Sequence, residues 1–234
     1  MDLSIIIPSL NEGHNIRILS EKIRAILDPL SIPYEIWIID DSTDNTPCIL
    51  EKISHDIPNF HYIHRKNTRG LSSAILEGFR QSVGQYIIVM DGDLQHPPEL
   101  FVDMYHALLE NNDIVIPSRF MQGGSDGGLN FFRKLISWTA RRIGQISIPQ
   151  LRDVSDCTSG YFGLKRSVID NVDLHPYSWK ILIEILVKGH VQTIHEIPYH
   201  FVARRFGESK LRLIEQWNYL RHIVKLVFMK KSVL

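Results

Sequence analysis

Short apolar runs that end in acidic or polar residues alternate with stretches of helical spacing through the first half of the chain. Leu3-Ser4-Ile5-Ile6-Ile7 reads as a buried strand, with Pro8-Ser9-Leu10-Asn11-Glu12-Gly13 as the loop at its C-terminal end. Ile16, Leu19, Ile23, Ile26 and Leu27 then share one helix face, and that helix stops before Pro29. Glu35-Ile36-Trp37-Ile38-Ile39 is a second strand and His61-Tyr62-Ile63-His64 a short third. Leu71, Ile75, Gly78 and Phe79 face inward from the next helix, and Tyr86-Ile87-Ile88-Val89-Met90 has the length and β-branched content of a fully buried fourth strand. This alternation predicts an α/β fold with a mostly parallel sheet and right-handed crossovers, whose strand-end loops meet along one edge.

The second half is less regular. Asp113-Ile114-Val115-Ile116-Pro117 is a strand, and Gly123-Gly124-Ser125-Asp126-Gly127-Gly128 reads as a mobile loop. An amphipathic helix follows, with Arg133, Ser137 and Arg141 at i, i+4 and i+8. Asp156-Cys157-Thr158-Ser159-Gly160-Tyr161-Phe162 turns into another strand. Trp179 to Gly189 is a helix whose polar stripe is Lys180, Glu184 and Lys188. Ile194 to Phe201 supplies one or two strands, and Arg204-Arg205-Phe206-Gly207-Glu208-Ser209-Lys210 is a basic glycine loop of the kind that closes over phosphates. From Leu213 through Trp217, Leu220, Val224 and Val227 apolar residues recur at helical spacing, beside Arg212, Arg221, Lys225, Lys230 and Lys231. Residues 1–210 are therefore read as a catalytic domain and 211–234 as an amphipathic helix suited to a membrane surface, with packing on the sheet as the alternative.

Chemistry gathers where the fourth strand ends, at Asp91-Gly92-Asp93-Leu94-Gln95-His96-Pro97-Pro98-Glu99. Two carboxylates separated by one glycine, with an amide oxygen at Gln95, concentrate hard oxygen ligands for Mg²⁺ or Mn²⁺, and so sparse a set calls for phosphate oxygens from a nucleotide to complete the shell. The plain structural alternative is that Asp93 caps the helix starting near Pro98. Glu12, Asp40 and Asp41, at the first two strand ends, suit contacts to a base or ribose. Asp156 is a further carboxylate for the same edge. Arg119 and Arg133 bracket the glycine-rich loop as an anion clamp.

Composition narrows the class. Of 234 residues, 44% are hydrophobic and 22% charged, as in an ordinary globular protein, and no run approaches the ~20 apolar residues of a membrane span. Met1-Asp2-Leu3-Ser4 passes straight into strand-like sequence with no basic leader, so a cytoplasmic location is expected. Net charge is zero, which gives no reason to expect a nucleic-acid partner. Yet residues 204–234 hold eight Lys or Arg against two Glu, so the basic end points to an anionic surface. Cys48 and Cys157 have no metal-ligand spacing, and His61, His64, His195 and His200 are read as structural. Neither G-x-G-x-x-G nor G-x-x-x-x-G-K-[ST] stands at the first turn, which argues against dinucleotide and P-loop chemistry.

The Asp91 to Glu99 stretch, Trp179-Lys180-Ile181-Leu182-Ile183-Glu184-Ile185-Leu186 and Phe201-x-x-Arg204-x-x-Gly207-x-Ser209-Lys210-Leu211 resemble, in this order, the family 2 glycosyltransferases of GT-A fold that act on polyprenyl phosphates, typified by dolichyl-phosphate mannosyltransferases. The resemblance also takes in the Pro8 to Glu12 loop, Asp40-Asp41-Ser42, Ser118-Arg119 and Arg133 with Ser137. It implies GDP-mannose as donor, a divalent metal around Asp91, Asp93 and Gln95, and a nucleotide pocket that includes Pro8, Glu12 and Asp41. It further implies that Arg119, Arg133 and Ser137 hold the phosphate of a polyprenyl (dolichyl) phosphate, and that Lys180 and Arg204 neutralise the donor diphosphate and the transition state.

Two positions depart from the family pattern. Gly92 replaces the usual alanine, and Phe162 stands where many members have arginine, which leaves the transferred sugar open, UDP-glucose and UDP-N-acetylglucosamine being the other donors. Many members continue into transmembrane helices, for which this sequence has no candidate. A membrane surface, or a separate membrane subunit, is the expected partner. Two other readings remain: a sugar-phosphate nucleotidyltransferase, whose glycine-rich basic loop Pro8 to Gly13 lacks, and a non-catalytic nucleotide-sugar-binding protein.

Overall fold

A computed structural model describes residues 1–66, 70–127, 131–175, 180–202 and 213–231; the side chains of 131–133, 135–137, 213–216 and 229–231 lie outside the description. The first half follows the apolar pattern. β1 (Leu3–Ser9) is buried at every position, as a strand covered on both faces must be, and extends two residues past the run of isoleucines. α1 (Gly13–Leu27) turns Ile16, Leu19, Ile23 and Leu27 inward and gives way to a 3-10 turn, Asp28–Leu30, that places Pro29 where a missing N–H costs nothing. β2 (Tyr34–Asp40), α2 (Thr46–Asp56), β3 (Phe60–His64), α3 (Leu71–Gln81) and β4 (Tyr86–Val89) continue the alternation.

Beyond β4 come α4 (Phe101–Leu109), β5 (Ile114–Ser118), α5 (Phe131–Ser147), β6 (Phe162–Lys165), α6 (Ile181–Lys188), β7 (Ile194–Pro198) and α7 (Leu213–Lys231). The seven strands form one sheet in the order β3-β2-β1-β4-β6-β5-β7. β1 to β4 are parallel to one another, and β5 is parallel to β7, but β6 runs antiparallel between β4 and β5. That reversal matters for the site. Because Phe162 pairs with Val89, the start of β6 lies at the C-terminal end of β4, and the turn before it is delivered to the acidic edge.

Alternate residues of the strands feed two cores, as the period of two requires. Ile5 and Ile7 face α1, α2 and α4, while Ile6, Ile87 and Val89 face α3, α5, α6 and α7. Phe162 lies in the second core and is fully buried. α7 has two apolar faces rather than one. Tyr219, His222, Ile223 and Leu226 are buried on the domain, with the Tyr219 hydroxyl donating to Ala140 O at 2.5 Å, whereas Trp217, Leu220, Val224 and Phe228 are exposed beside Arg221 and Lys225. The packing alternative thus holds for one side of this helix, while the other side faces outward.

Candidate active site

The loop after β4 is tied to itself and to two other segments. Asp93 Oδ1 accepts the Gln95 backbone N–H at 3.1 Å, so Asp93 stiffens its own turn and does not cap the helix that follows. The Asp91 N–H donates to His96 Nδ1 at 3.2 Å, and the Gln95 side-chain amide donates to Val202 O at 2.8 Å. Asp93 and Gln95 are buried, while the Asp91 side chain is 38% exposed. Behind Asp91 lies Gly160, where a Cβ would stand 3.2 Å from Asp91 Oδ2, so the turn into β6 passes close against the carboxylate. His96 stacks on Tyr161, and burial lowers its pKa to about 4, leaving a neutral imidazole.

At the neighbouring strand ends, Pro8 is buried opposite Ile39, and the half-buried Glu12 accepts a hydrogen bond from the Asn15 amide. Asp41 is gripped by the Arg65 fork, Nε to Oδ1 at 2.7 Å and the second nitrogen to Oδ2 at 2.6 Å, with the Gly70 N–H adding a third donor at 2.9 Å. Asp40, expected alongside it as a donor contact, is completely buried instead. Its carboxylate accepts from the Ser42 hydroxyl and meets His64 Nδ1 at 2.8 Å, because consecutive residues of a strand end point to opposite sides. Asp40 is thus held within the strand end by Ser42 and His64.

Arg119 leaves the end of β5 and forms a two-pronged pair with Asp156, Nε to Oδ2 at 2.8 Å and a terminal nitrogen to Oδ1 at 3.0 Å. Phe120 and Phe201 flank its guanidinium at 5.1 and 5.4 Å. Burial lowers the guanidinium pKa, but the Asp156 charge and hydrogen bonds more than reverse this and keep it firmly cationic. The clamp expected of Arg119 is therefore committed first to Asp156. Asp156 itself is fully buried, its N–H donating to Glu196 and both of its carboxylate oxygens accepting from Arg119. Lys180, at the start of α6, donates to Thr158 O in the same turn. Burial, then the Arg119 charge, brings its pKa to about 7, against the pull of Asp156 and Asp91. Arg133 and Ser137 stand on α5, but their side chains, like Arg204 and Lys210, lie outside the described residues.

The edge therefore unites Asp91, Asp93, Gln95, Asp156, Arg119 and Lys180, while Glu12 and Asp41 end the adjacent strands. Among the described residues no three His, Cys, Asp or Glu groups come together as a self-sufficient metal site. Two carboxylates and an amide supply hard oxygens but an incomplete shell, which suits a cation that arrives with phosphate oxygens of its own. Sequence reasoning missed Arg65, one residue past β3 on the edge already identified, and that position was the available signal. It also missed His96, Glu196 and the aromatic group around Tyr161, for which spacing offers none.

The model of the Glycosyl transferase family 2 family matches residues 4–173. Over 97% of its length the chain is 41% identical to a Dolichol-phosphate mannosyltransferase of Pyrococcus furiosus, of which it spans 64%. A Dolichol-phosphate mannosyltransferase of Saccharomyces cerevisiae is 33% identical over 98% of this chain and 88% of its own. Among solved structures, mannosyl-3-phosphoglycerate synthase from Rubrobacter xylanophilus superposes with a TM-score of 0.76 at 16% identity, covering 99% of this chain and 75% of that one. Glucosyl-3-phosphoglycerate synthase from Mycobacterium tuberculosis, in complex with Mn²⁺, uridine diphosphate and glucosyl-3-phosphoglycerate, gives 0.69 at 19% identity over 97% and 79%. The structural likenesses establish a shared GT-A fold, and the sequence matches, which run through the acidic edge and the segments that build it, show that this chain belongs to glycosyl transferase family 2.

Proposed function

We propose that the protein transfers mannose from GDP-mannose to a polyprenyl (dolichyl) phosphate, with inversion, releasing GDP. The observation that carries this reading is that a sparse oxygen set, the Asp91 and Asp93 carboxylates and the Gln95 amide, shares one edge with the Arg119 guanidinium and the buried Lys180 amine. It is supported by the relatives, which are named for dolichol-phosphate mannosyl transfer. Asp91, Asp93 and Gln95 would hold Mg²⁺ or Mn²⁺ together with the donor diphosphate, and the ion would offset charge on the leaving GDP. A fold relative holds Mn²⁺ and a nucleoside diphosphate.

The remaining residues divide the work. Glu12 and Asp41, with Pro8 beneath them, receive the nucleoside, and Asp40 braces that strand end from inside. Lys180, Arg204 and Lys210 neutralise the diphosphate; Arg133 and Ser137, together with Arg119, orient the acceptor phosphate. The acceptor's phosphate, with a second pKa near ~6, is largely ionised at neutral pH and attacks the anomeric carbon without a protein base. One of its oxygens forms the new bond to that carbon as the bond to the GDP oxygen breaks, and no proton need move. Asp156 serves by holding Arg119.

A polyprenyl phosphate stays in a bilayer, so the enzyme works peripherally, at the cytoplasmic face. The exposed Trp217, Leu220, Val224 and Phe228 of α7, with Arg221 and Lys225, favour direct contact with lipid over recruitment by a separate membrane subunit. Among the described residues no helix is long and apolar enough to cross a membrane.

The test is nucleoside diphosphate release with Mn²⁺ and a polyprenyl phosphate, comparing GDP-mannose, UDP-glucose and UDP-N-acetylglucosamine. Release from GDP-mannose that requires the lipid, and that falls roughly a thousandfold in Asp93→Ala, is expected. Release from a UDP-sugar alone would overturn the donor, and no release from any would overturn the transfer.

A further inference from the structure

The turn from Asp91 to Pro97 has an unusual backbone for so functional a segment. Leu94 sits in the left-handed region at φ 63°, a conformation that costs a side-chain-bearing residue about 1–3 kcal/mol and persists only when neighbours over-determine it. Hydrogen bonds within and around the turn do this. Gln95 N–H reaches Asp93 Oδ1, Asp91 N–H reaches His96 Nδ1 at 3.2 Å, and the Tyr161 hydroxyl reaches Pro97 O at 2.8 Å. Of these, the bond to His96 spans the ligand residues, since it joins the backbone before Asp93 to the side chain after Gln95.

His96 can hold that position because it is caged. Its ring stacks on Tyr161 with centroids 5.0 Å apart and planes at 19°, meets Tyr199 at 6.2 Å and 66°, and lies 5.7 Å from Phe201. Only 4% of the residue is exposed. Nδ1 accepts the Asp91 amide, so it cannot also serve as a metal ligand. An ordinary core histidine would need no partner inside this one turn. The cage also reaches outward: Phe201 carries Arg119 on its face, and Val202 accepts the Gln95 amide.

We infer that His96 is a positioning residue: by accepting the Asp91 amide hydrogen from within the aromatic cage, it holds the Asp91 to Gln95 turn in the shape that presents Asp91, Asp93 and Gln95 to the cation. This rests on the metal-dependent reading above. Residues that orient ligands from behind set metal affinity as well as rate, and their loss typically costs about 10–100-fold.

The experiment compares His96→Phe, which keeps a ring but removes the acceptor, with His96→Asn, whose side-chain oxygen stands near the Nδ1 position. Bound Mn²⁺ is read from the loss of the free-ion EPR signal at fixed GDP, against a protein-free blank and Asp93→Ala. The Phe variant is expected to weaken Mn²⁺ binding about tenfold and to lower kcat more than it raises the donor KM, and the Asn variant to recover affinity to within about threefold of the parent, with melting temperatures that do not follow this order. Parental Mn²⁺ affinity in the Phe variant, or equal losses in both that track melting temperature, overturns the role of His96. Should the Phe variant fail to fold, His96→Leu, which also lacks the acceptor, takes its place with the same loss expected, and parental Mn²⁺ affinity in it overturns the inference. If the parent binds no more Mn²⁺ than Asp93→Ala, the metal-dependent reading falls first and takes this inference with it.

Discussion

Replacing Glu184 by Gln should loosen the joint between α6 and α7 by an amount that can be worked out. Glu184 is 1% exposed, and Oε1 accepts the His175 N–H at 2.8 Å and the Lys188 ammonium at 2.5 Å, while Oε2 lies 3.2 Å from His222 Nε2 on α7. Burial alone would raise its pKa, yet the close His222 ring, the hydrogen bonds from Lys188 and the His175 backbone, and the Lys188 charge lower it to about 2. Against an ordinary value of 4.5 and about 1.36 kcal/mol per unit, the carboxylate contributes about 3 kcal/mol to folding. Because the folded pKa is depressed, that contribution is present above pH 4.5 and is lost as pH falls toward 2. At neutral pH Glu184→Gln should therefore unfold about 5–10 °C lower in a chain of this size. Urea unfolding followed by circular dichroism at several pH values gives the stability difference between the two proteins, in which other carboxylates cancel. A midpoint equal to the parent's at pH 7, or a difference that stays constant down to pH 3, would refute the reasoning.

Asp156→Asn should keep measurable turnover with no new alkaline limb while costing about 3 kcal/mol of stability, because buried Arg119 loses its counter-charge; a rate optimum displaced by several pH units would mean that Asp156 is a base. At Gly92 a Cβ would stand 2.7 Å from Ile16 Cδ1 and 3.3 Å from Ile7 Cγ2, so Gly92→Ala should cost about 1–2 kcal/mol. Adding Ile16→Val should recover most of that in thermal melts, and simple additivity of the two would refute the clash. Co-sedimentation with anionic liposomes should weaken in high salt and disappear in the double variant Trp217→Glu, Phe228→Glu, whose sites are 60% and 61% exposed and so leave the fold unchanged. A parent chain that stays in the supernatant with both anionic and polyprenyl-phosphate vesicles would favour recruitment by a membrane subunit.

How far the sequence could be read follows from how local each signal is. The isoleucines of β1, the inward face of α1 and the Asp91-Gly92-Asp93 strand end are local patterns, and they gave the parallel half of the sheet and its acidic edge. Direction is not local. β6 has four residues, Phe162–Lys165, too few for periodicity to say that it enters reversed between β4 and β5. Asp41 and Arg65 are 24 positions apart, and Arg119 and Asp156 are 37 apart. Single residues on that edge were visible, but their partnerships were not, and so Asp156 reads as a free carboxylate until Arg119 is seen against it. In α7 the buried Ile223 and Leu226 and the exposed Leu220 and Val224 blur into one apolar helix, which hides that it has two opposed faces.

The reversed entry of β6 also divides this region by what a mutation there can damage. Upstream of Phe162, the turn from Asp156 to Tyr161 holds Arg119, accepts Lys180 and backs Asp91, so a change of even one methyl group at Gly160 meets a carboxylate. From Phe162 onward the chain runs away from the edge into packed hydrocarbon, where a swap that conserves volume disturbs only the core. Tolerance to substitution should therefore change abruptly within two residues, from chemical identity before the strand to mere bulk within it. A saturation scan across 156–165 would show that step as a discontinuity, not a gradient.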